Sequence, residues 1–169
     1  ENFKTFDVNL LHGVTASGKT EIYIKLLEQY IKEGKQVLFL LPEIALTTQL
    51  VQRLTAYFGN EVAVFHSKYT NNERIEVWNQ VLENSPKAKV VIGVRSALFL
   101  PFSDLGCIIV DEEHEQTFKQ NDPAPRYHAR DAAIVLAKQH GAKVVLGSAT
   151  PSLETYYNVQ SNKYGLTEL

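Results

Sequence analysis

Residues 8–27 read VNLLHGVTASGKTEIYIKLL, and this stretch decides the fold. A short apolar run at residues 8–11 leads through His12 into a glycine-containing turn, and apolar side chains then recur at helical spacing over residues 19–33. The turn itself, GVTASGKT at residues 13–20, fits the pattern G-x-x-x-x-G-K-[ST]. The sequence therefore predicts a strand, a phosphate-binding loop and a helix in immediate succession.

The loop combines three kinds of contact that suit a phosphate and its metal ion. Backbone N–H groups of the loop and of the following helix N-terminus point at anionic oxygens. Lys19 adds a compact positive charge for the outer phosphates, and the hydroxyl of Thr20 is placed to ligate Mg²⁺. The expected phosphate-binding residues are Gly13, Val14, Thr15, Ala16, Ser17, Gly18, Lys19 and Thr20.

Working outward, the stretch is one unit of a regular alternation of apolar strands and amphipathic helices. Further strands are expected at residues 37–41, 61–65, 89–92, 107–110 and 144–146, and further helices at 46–58, 72–82, 131–140 and 153–159. This alternation predicts an α/β fold of three layers, with a mostly parallel sheet between helices. Ligands of such sheets bind beyond the carboxyl ends of the strands. In the helix at 72–82, Ile75, Trp78 and Leu82 share one apolar stripe, which places Trp78 in the predicted core.

Length and composition restrict the class of protein. A chain of 169 residues with 44% hydrophobic and 21% charged residues is typical of one globular domain and excludes a disordered one. The single cysteine, Cys107, excludes a disulfide framework and a multi-cysteine metal site. With a formal net charge of −2 the chain is not basic overall, so binding of nucleic acid requires a local patch of basic residues.

No apolar run reaches the roughly 18 residues of a membrane span, which favours a cytoplasmic protein without membrane contact. The chain begins at Glu1 and contains no methionine. We therefore expect residues 1–169 to be a single domain excised from a longer, multidomain protein.

An acidic cluster, DEEH at residues 111–114, follows the apolar run CIIV. Successive side chains on a strand point to opposite faces, so neighbouring carboxylates there can take different roles. We interpret Asp111 as the Mg²⁺-side carboxylate and Glu112 as the base that positions and deprotonates an attacking water. The alternative is a solvated acidic turn, and the phosphate loop elsewhere in the chain favours the catalytic interpretation.

Two further segments follow apolar strands. In GSATP, at residues 147–151, the small hydroxyl residues can hydrogen-bond the acidic cluster, although a plain strand-to-helix turn capped by Ser152 explains them equally well. Arg95 and Ser96 follow the strand VVIG, where an exposed arginine meets either a nucleic-acid phosphate or only solvent.

The long irregular segment at residues 115–127 and the start of the next helix interleave aromatic and cationic residues. This pattern suits single-stranded nucleic acid, through base stacking and phosphate contacts. Composition alone favours the alternative, a surface loop whose aromatic side chains pack onto the domain. The candidate nucleic-acid contacts here are Phe118, Lys119, Arg126, Tyr127, His128 and Arg130.

The order of these motifs resembles the first motor lobe of superfamily-two helicases. The segments GVTASGKTE, LPEIALT, GVRSALFLPF, DEEHEQTFKQ, RYHARD and LGSATPSLE together resemble the PriA family of primosomal replication-restart DNA helicases, from about residue 11 to the end of the chain. The resemblance implies a RecA-like P-loop NTPase lobe of an ATP-dependent 3′ to 5′ DNA helicase that acts in replication restart and primosome assembly. Ala16, in place of the family's usual glycine, and Val94, in place of a common threonine, depart from the pattern.

The resemblance also implies roles for individual residues. Residues 13–20 would bind ATP, and Lys19, Asp111 and Glu112 would serve Mg²⁺ binding and hydrolysis. His114, Ser148 and Thr150 would couple the nucleotide site to DNA, the 118–130 segment would sense single-stranded DNA, and residues 42–47 and 93–97 would lie on the DNA-facing side.

The implied partners are single-stranded and forked DNA, the second helicase lobe and other domains of the same protein, primosome proteins and single-strand-binding proteins. Zinc is implied only for family regions absent from this chain. Because the second lobe supplies an arginine finger, the isolated lobe is expected to have little or no ATPase activity. The alternatives are another P-loop enzyme, such as a small-molecule kinase, and a non-catalytic interaction module.

Overall fold

The structure, a computed structural model, describes residues 5–14, 17–43, 49–66 and 69–169. Thr15 and Ala16 of the phosphate loop lie outside the described residues, as do residues 44–47 of the 42–47 segment and the start of the helix expected at 46–58.

Seven strands form one sheet, and every strand pairing in it is parallel. The strands are β1 (Val8–His12), β2 (Gln36–Leu40), β3 (Val62–Phe65), β4 (Val90–Gly93), β5 (Leu105–Asp111), β6 (Lys143–Ser148) and β7 (Gly165–Glu168). Their order across the sheet is β3-β4-β2-β5-β6-β1-β7. The central strands β2 and β4 are buried along their whole length, which is why their sequences are continuously apolar.

Helices cover both faces of the sheet. They are α1 (Lys19–Lys32), α2 (Gln49–Phe58), α3 (Asn71–Leu82), α4 (Ala129–His140) and α5 (Leu153–Gln160). Short 3₁₀ helices lie at Gly59–Glu61, Pro86–Ala88, Arg95–Phe99 and Gln116–Phe118. One core cluster packs α1 and α2 against one face, and a second packs α3 and α4 against the other. The three-layer α/β architecture predicted from the alternation of elements is confirmed.

The predicted core position of Trp78 is wrong, because this side chain is 45% exposed. Helix α3 packs on the sheet through Val77 and Val81 instead. The buried stripe is therefore rotated around the helix from the one that the sequence favoured. Trp78 and Ile75 line an open surface groove with a volume of about 500 Å³, together with Phe99 of the neighbouring 3₁₀ helix.

The edge strand β7 was not predicted. Only Gly165, its first residue, is buried, so the segment lacks the apolar run that indicates a strand. It pairs with β1 through Asn9–Gly165 to His12–Glu168, and the backbone N–H of Leu169 donates to the carbonyl oxygen of His12. This edge strand thereby supports the strand that leads into the phosphate loop.

Within the described part of the chain, no helix combines the length and the apolar character that crossing a membrane requires.

Candidate active site

The pairing register brings three sequence motifs to one edge of the sheet. Asp111 at the end of β5 pairs with Gly147 of β6, and His12 at the end of β1 pairs with Ser148 of β6. The backbone N–H of Gly13 donates to the carbonyl oxygen of Ser148 at 3.2 Å. The phosphate loop, the acidic cluster and the small-residue segment 147–151 therefore lie side by side at the carboxyl ends of adjacent strands.

Two glycines of the phosphate loop lie where a side chain would be strained or would clash. Gly18 caps α1 with a φ of 100°, in the left-handed region that a side chain rarely adopts. At Gly13 a Cβ atom would run into the hydroxyl of Ser17, so a larger residue there would displace that side chain. Lys19, the first residue of α1, donates from Nζ to the carbonyl oxygens of Gly13 and Val14 at 2.5 and 3.3 Å.

The loop residues fit a phosphate with its Mg²⁺ ion. The hydroxyl of Ser17 is buried and has no hydrogen-bond partner among the described residues, as expected of a group that faces a ligand. Nowhere in the described ranges do three or more His, Cys, Asp or Glu side chains gather into a metal site.

Asp111 faces the helix that follows the phosphate loop. Its carboxylate accepts a hydrogen bond of 2.8 Å from the hydroxyl of Tyr23, which lies three residues after Thr20 on α1. Burial raises the pKa of Asp111 and outweighs the hydrogen bond from Tyr23 and the charge of Lys19, which lower it. Asp111 and Thr20, the two predicted metal ligands, therefore belong to elements that are joined directly through Tyr23.

Gly147 is the residue that makes room for this contact. A Cβ atom at position 147 would collide with the hydroxyl of Tyr23 and would stand 3.0 Å from Oδ1 of Asp111. Tyr23 could not be identified from the sequence, because it is separated from Asp111 by 88 residues and resembles one more apolar position of α1. The glycine of the GSAT segment was the one signal that two side chains meet there.

Glu112 projects from a tight turn. Its φ of 52° is in the left-handed region, which costs a residue with a side chain about 1–2 kcal/mol. Its carbonyl oxygen accepts from the backbone N–H of Glu115 at 2.9 Å, which closes the turn. The side chain is 39% exposed, so the carboxylate can reach a water, and its Oε2 lies 3.7 Å from Nδ1 of His114.

The three predicted coupling residues meet at one hydroxyl. Nδ1 of His114 lies 2.7 Å from Oγ of Ser148, and the same Oγ accepts from the backbone N–H of Thr150 at 3.0 Å. Thr150 itself is exposed and joins the cluster through its backbone. A chain of contacts thus runs from Glu112 through His114 to Ser148, at the strand end beside the phosphate loop.

Glu113, to which the sequence assigned no role, is completely buried. Its carboxylate accepts from Nη1 of Arg130, from the backbone N–H and hydroxyl of Ser152, and from the hydroxyl of Thr155, at 2.7–3.0 Å. Burial works to lower the pKa of Arg130, but the hydrogen bonds to Glu113 and Asp131 raise it overall.

These contacts correct one predicted DNA contact. Arg130 is only 7% exposed and its guanidinium is held by Glu113, so it is not part of the DNA-facing surface. Sequence spacing cannot reveal the pairing, because the two residues belong to different elements.

The aromatic segment divides into buried and exposed parts. Phe118 is 1% exposed and packs in the core, so it is unavailable for base stacking, contrary to the prediction. Lys119 and His128 form an antiparallel bridge that closes the segment into a hairpin-like loop. Lys119 and Arg126 are exposed, and the ring of Tyr127 packs edge-on against Phe99 with the centroids 5.3 Å apart.

Arg95 is largely engaged within the chain. Its Nη1 donates to the carbonyl oxygens of Thr117 and Lys119 at 3.3 and 3.0 Å, and its Nη2 lies 3.7 Å from the carboxylate of Glu43. The predicted DNA-facing Arg95 therefore holds the start of the aromatic loop onto the domain. Ser96 beside it is half-buried and lines the groove that contains Trp78.

Comparison with known families agrees with this arrangement. The sequence matches the DEAD/DEAH box helicase family over residues 4–159, nearly the whole chain. This chain belongs to the DEAD/DEAH box helicase family. The helicase match includes the phosphate loop, the acidic cluster and the 147–151 segment, which are the motifs that the strand register brings together.

This helicase chain is similar to curated replication restart proteins. It is 55% identical over 159 residues to Replication restart protein PriA of Haemophilus influenzae and 48% identical over 162 residues to that of Bacillus subtilis. The alignments cover 94% and 96% of this chain but 21% and 20% of those relatives. The helicase chain therefore spans about a fifth of the length of these proteins.

Solved helicase structures share the fold. RecG bound to a three-way DNA junction superposes with a TM-score of 0.66 at 21% identity, over 95% of this chain and 21% of that one. Domain 2 of the DEAD-box helicase Mss116p, bound to an RNA duplex, gives a TM-score of 0.69 at 13% identity, over 97% and 64% of the two chains. These likenesses show that the helicase chain has a RecA-like fold.

Proposed function

We propose that this chain is the first ATP-binding motor lobe of a longer ATP-dependent DNA helicase that moves 3′ to 5′ and acts in replication restart. The observation that carries the proposal is the convergence of the phosphate loop, Asp111 with Tyr23, and His114 with Ser148 at one sheet edge. The similarity to replication restart proteins over nearly the whole chain supports the choice of DNA and of replication restart. The relatives found do not favour the kinase and scaffold alternatives.

In the proposed site, the loop and its two flanking groups hold ATP. Backbone N–H groups of residues 13–20 bind the phosphates, and Lys19 exchanges the loop carbonyl oxygens for phosphate oxygens. Thr20 and Asp111 would hold Mg²⁺, which would neutralise phosphate charge when bound. Tyr23 keeps the carboxylate of Asp111 turned toward α1.

Glu112 is the proposed base. Its partly exposed carboxylate orients a water for in-line attack on the terminal phosphorus and accepts a proton from it, while the bond from that phosphorus to the bridging oxygen breaks and ADP leaves. His114 stands between this carboxylate and Ser148, so a displacement of the 148–150 segment reaches the base through one imidazole ring.

The proposed DNA contacts lie beside this site. Lys119 and Arg126 are exposed and can meet phosphates, and Tyr127 and His128 present partly exposed rings on the same loop. We propose single-stranded and forked DNA as the substrate, with the second lobe, primosome proteins and single-strand-binding proteins as partners, in the cytoplasm.

Unwinding by the full-length parent protein tests this proposal. With ATP and Mg²⁺, it should separate a partial duplex that carries a 3′ single-stranded arm and leave one with only a 5′ arm intact. A K19A variant, which loses the phosphate-binding charge, serves as the inactive control. Unwinding with the opposite arm preference would contradict the polarity, and transfer of phosphate to a small acceptor without unwinding would contradict the helicase assignment.

A further inference from the structure

The proposed mechanism leaves one buried carboxylate without a role. Glu113 is 0% exposed, and each of its oxygens is occupied by donors from other segments. Buried charged groups of this kind are costly to desolvate, and they occur where they are fully paired. Glu113 directly follows Glu112, so its hydrogen bonds bear on the position of the proposed base.

Glu113 is placed to hold the turn that carries Glu112. The turn depends on a left-handed backbone at Glu112, which persists only where the surroundings enforce it. On one side, Asp111 is fixed by the hydroxyl of Tyr23. On the other side, the backbone N–H of Glu113 donates to the carbonyl oxygen of Gly147 at 3.0 Å and its carboxylate is held by four hydrogen bonds. Glu112 therefore stands between two anchored neighbours.

The same carboxylate joins the turn to the starts of two helices. Arg130 is the second residue of α4, the helix that follows the aromatic loop. Ser152 caps α5, the helix that follows the 147–151 segment, and Thr155 lies in its first turn. Glu113 thus connects the base-bearing turn to the two segments proposed to communicate with DNA.

We propose that Glu113, through Arg130 and Ser152, is a positioning residue that holds Glu112 in its hydrolytic geometry. This inference rests on the proposed function, since it assigns Glu113 to the same ATP site. The carboxylate does not touch the nucleotide; it fixes the backbone from which the base projects. Loss of this anchor should therefore reduce turnover while nucleotide binding at the phosphate loop continues.

The variant E113Q of the full-length parent protein tests this directly. A glutamine has one oxygen in place of two, and its NH₂ group would face a donor, either Arg130 or the N–H of Ser152. We expect the DNA-stimulated kcat for ATP to fall by about 10- to 100-fold, the loss associated with small misplacements of catalytic groups, and the KM for ATP to change by less than about twofold. Unchanged kcat would overturn the inference.

A buried amide elsewhere provides a matched structural control. Gln36 is also 0% exposed and is hydrogen-bonded through both ends of its amide, with the carbonyl oxygen of Val81 and the backbone N–H groups of Ser103 and Asp104. It begins β2, at the opposite edge of the sheet from Glu112. Q36M should lower the melting temperature as E113Q does and leave kcat unchanged at temperatures where the variants are folded. An equal loss of kcat in Q36M would mean that the effect of E113Q is only structural.

A double variant distinguishes the loss of positioning of Glu112 from the cost of burying an unpaired charge. E113M/R130M removes both buried charges together. Its melting temperature should therefore lie above that of R130M, which leaves the buried carboxylate of Glu113 without an opposite charge, and above that of E113M, which leaves Arg130 with only the exposed Asp131 as its ion-pair partner. We expect its kcat to remain low, because the anchor is still missing. Recovery of kcat along with stability would overturn the inference. Absence of ATP hydrolysis by the wild-type parent would instead overturn the proposed function and this inference with it, whereas an active wild type with an equally active E113Q overturns this inference alone.

Discussion

At the scale of residues, the site is organised by contacts between groups that are far apart in the chain. One such unit is the hydrogen bond from the hydroxyl of Tyr23 to the carboxylate of Asp111. This contact fits because Gly147 has no side chain to displace it. A hydrogen bond to a charged group contributes about 1.5–3 kcal/mol. This unit therefore fixes the carboxylate of Asp111 relative to α1.

Y23F should weaken Mg²⁺ binding with only a moderate loss of stability. Removing the hydroxyl leaves the Asp111 carboxylate without its partner on α1, and loss of such outer-sphere partners typically costs 10- to 100-fold in metal affinity. The measurement is the Mg²⁺ dependence of ATP hydrolysis by the full-length protein, with Y57F, which removes an exposed hydroxyl bonded to Glu28, as the control. An unchanged Mg²⁺ requirement would show that Tyr23 does not position Asp111.

G147A should impair the same contact from the other side. The added methyl group would occupy the place of the Tyr23 hydroxyl, so Tyr23 and Asp111 must separate. In a double-mutant cycle measured by kcat/KM, G147A should cost much less in the Y23F background than in the wild type, because the contact is already lost. Additive effects would mean that Gly147 acts through some other contact.

His128 should make stability sensitive to mild acid. Burial lowers its pKa below the usual 6.5, the charge of Arg130 lowers it further, and its Nδ1 is buried without a hydrogen-bond partner among the described residues. The unfolded chain therefore binds this proton more readily than the folded chain. The contribution of His128 is fully present above about pH 6.5 and is lost as the pH falls from there toward the folded pKa.

Urea unfolding between pH 7.5 and pH 5.5 measures this effect. H128Q should lose less stability over that range than the wild type, because it lacks the buried imidazole. Identical slopes for H128Q and the wild type would contradict the assignment.

At the scale of elements, α3 shows that a sequence pattern can predict a helix without predicting which of its faces is buried. Its existence follows from the pattern, and its start is fixed by a capping box between Thr70 and Glu73. Its buried face does not follow, because apolar residues occur on two sides of the helix. Packing against the sheet selects the smaller, β-branched Val77 and Val81 and leaves Trp78 outside.

Substitutions on the two faces of α3 should differ accordingly. W78Q should change the free energy of unfolding by less than about 1 kcal/mol, because Trp78 is 45% exposed. V81A should cost about 1–3 kcal/mol, because it removes methyl groups from a fully buried position. Chemical denaturation measures both values, and a larger loss for W78Q than for V81A would contradict the packing.

At the scale of the whole molecule, the parallel sheet brings segments that are far apart in the chain together at one site. Apolar runs and their spacing predict parallel strands, and the rule for carboxyl ends then predicts that residues 13–20, 111–114 and 147–151 share one edge. Among the described residues, Gly13, Asp111, Gly147 and Ser148 are observed at this edge. The order of strands, the edge strand β7 and the buried pair of Glu113 and Arg130 could not be predicted, because each depends on which segments meet in space.

The chain alone should be a poor hydrolase. The family resemblance assigns an arginine finger to the second lobe, and such a finger contributes about 10³- to 10⁵-fold in rate. The purified 169-residue chain should therefore turn over ATP at least about 1,000-fold more slowly than the DNA-stimulated parent, while still binding nucleotide. Rapid turnover by the chain alone, further stimulated by DNA, would contradict the proposal that it is one lobe of a larger motor.

The central claim is that Glu112 performs hydrolysis at a site whose other residues bind the nucleotide. The most direct measurement compares ATP binding and DNA-stimulated ATP hydrolysis in the wild-type parent and in E112Q. Binding should persist within a few-fold, because the phosphate loop, Lys19 and Asp111 are untouched, and hydrolysis should fall by about 100-fold or more, as expected when a general base is lost. Hydrolysis by E112Q at close to the wild-type rate would contradict the account.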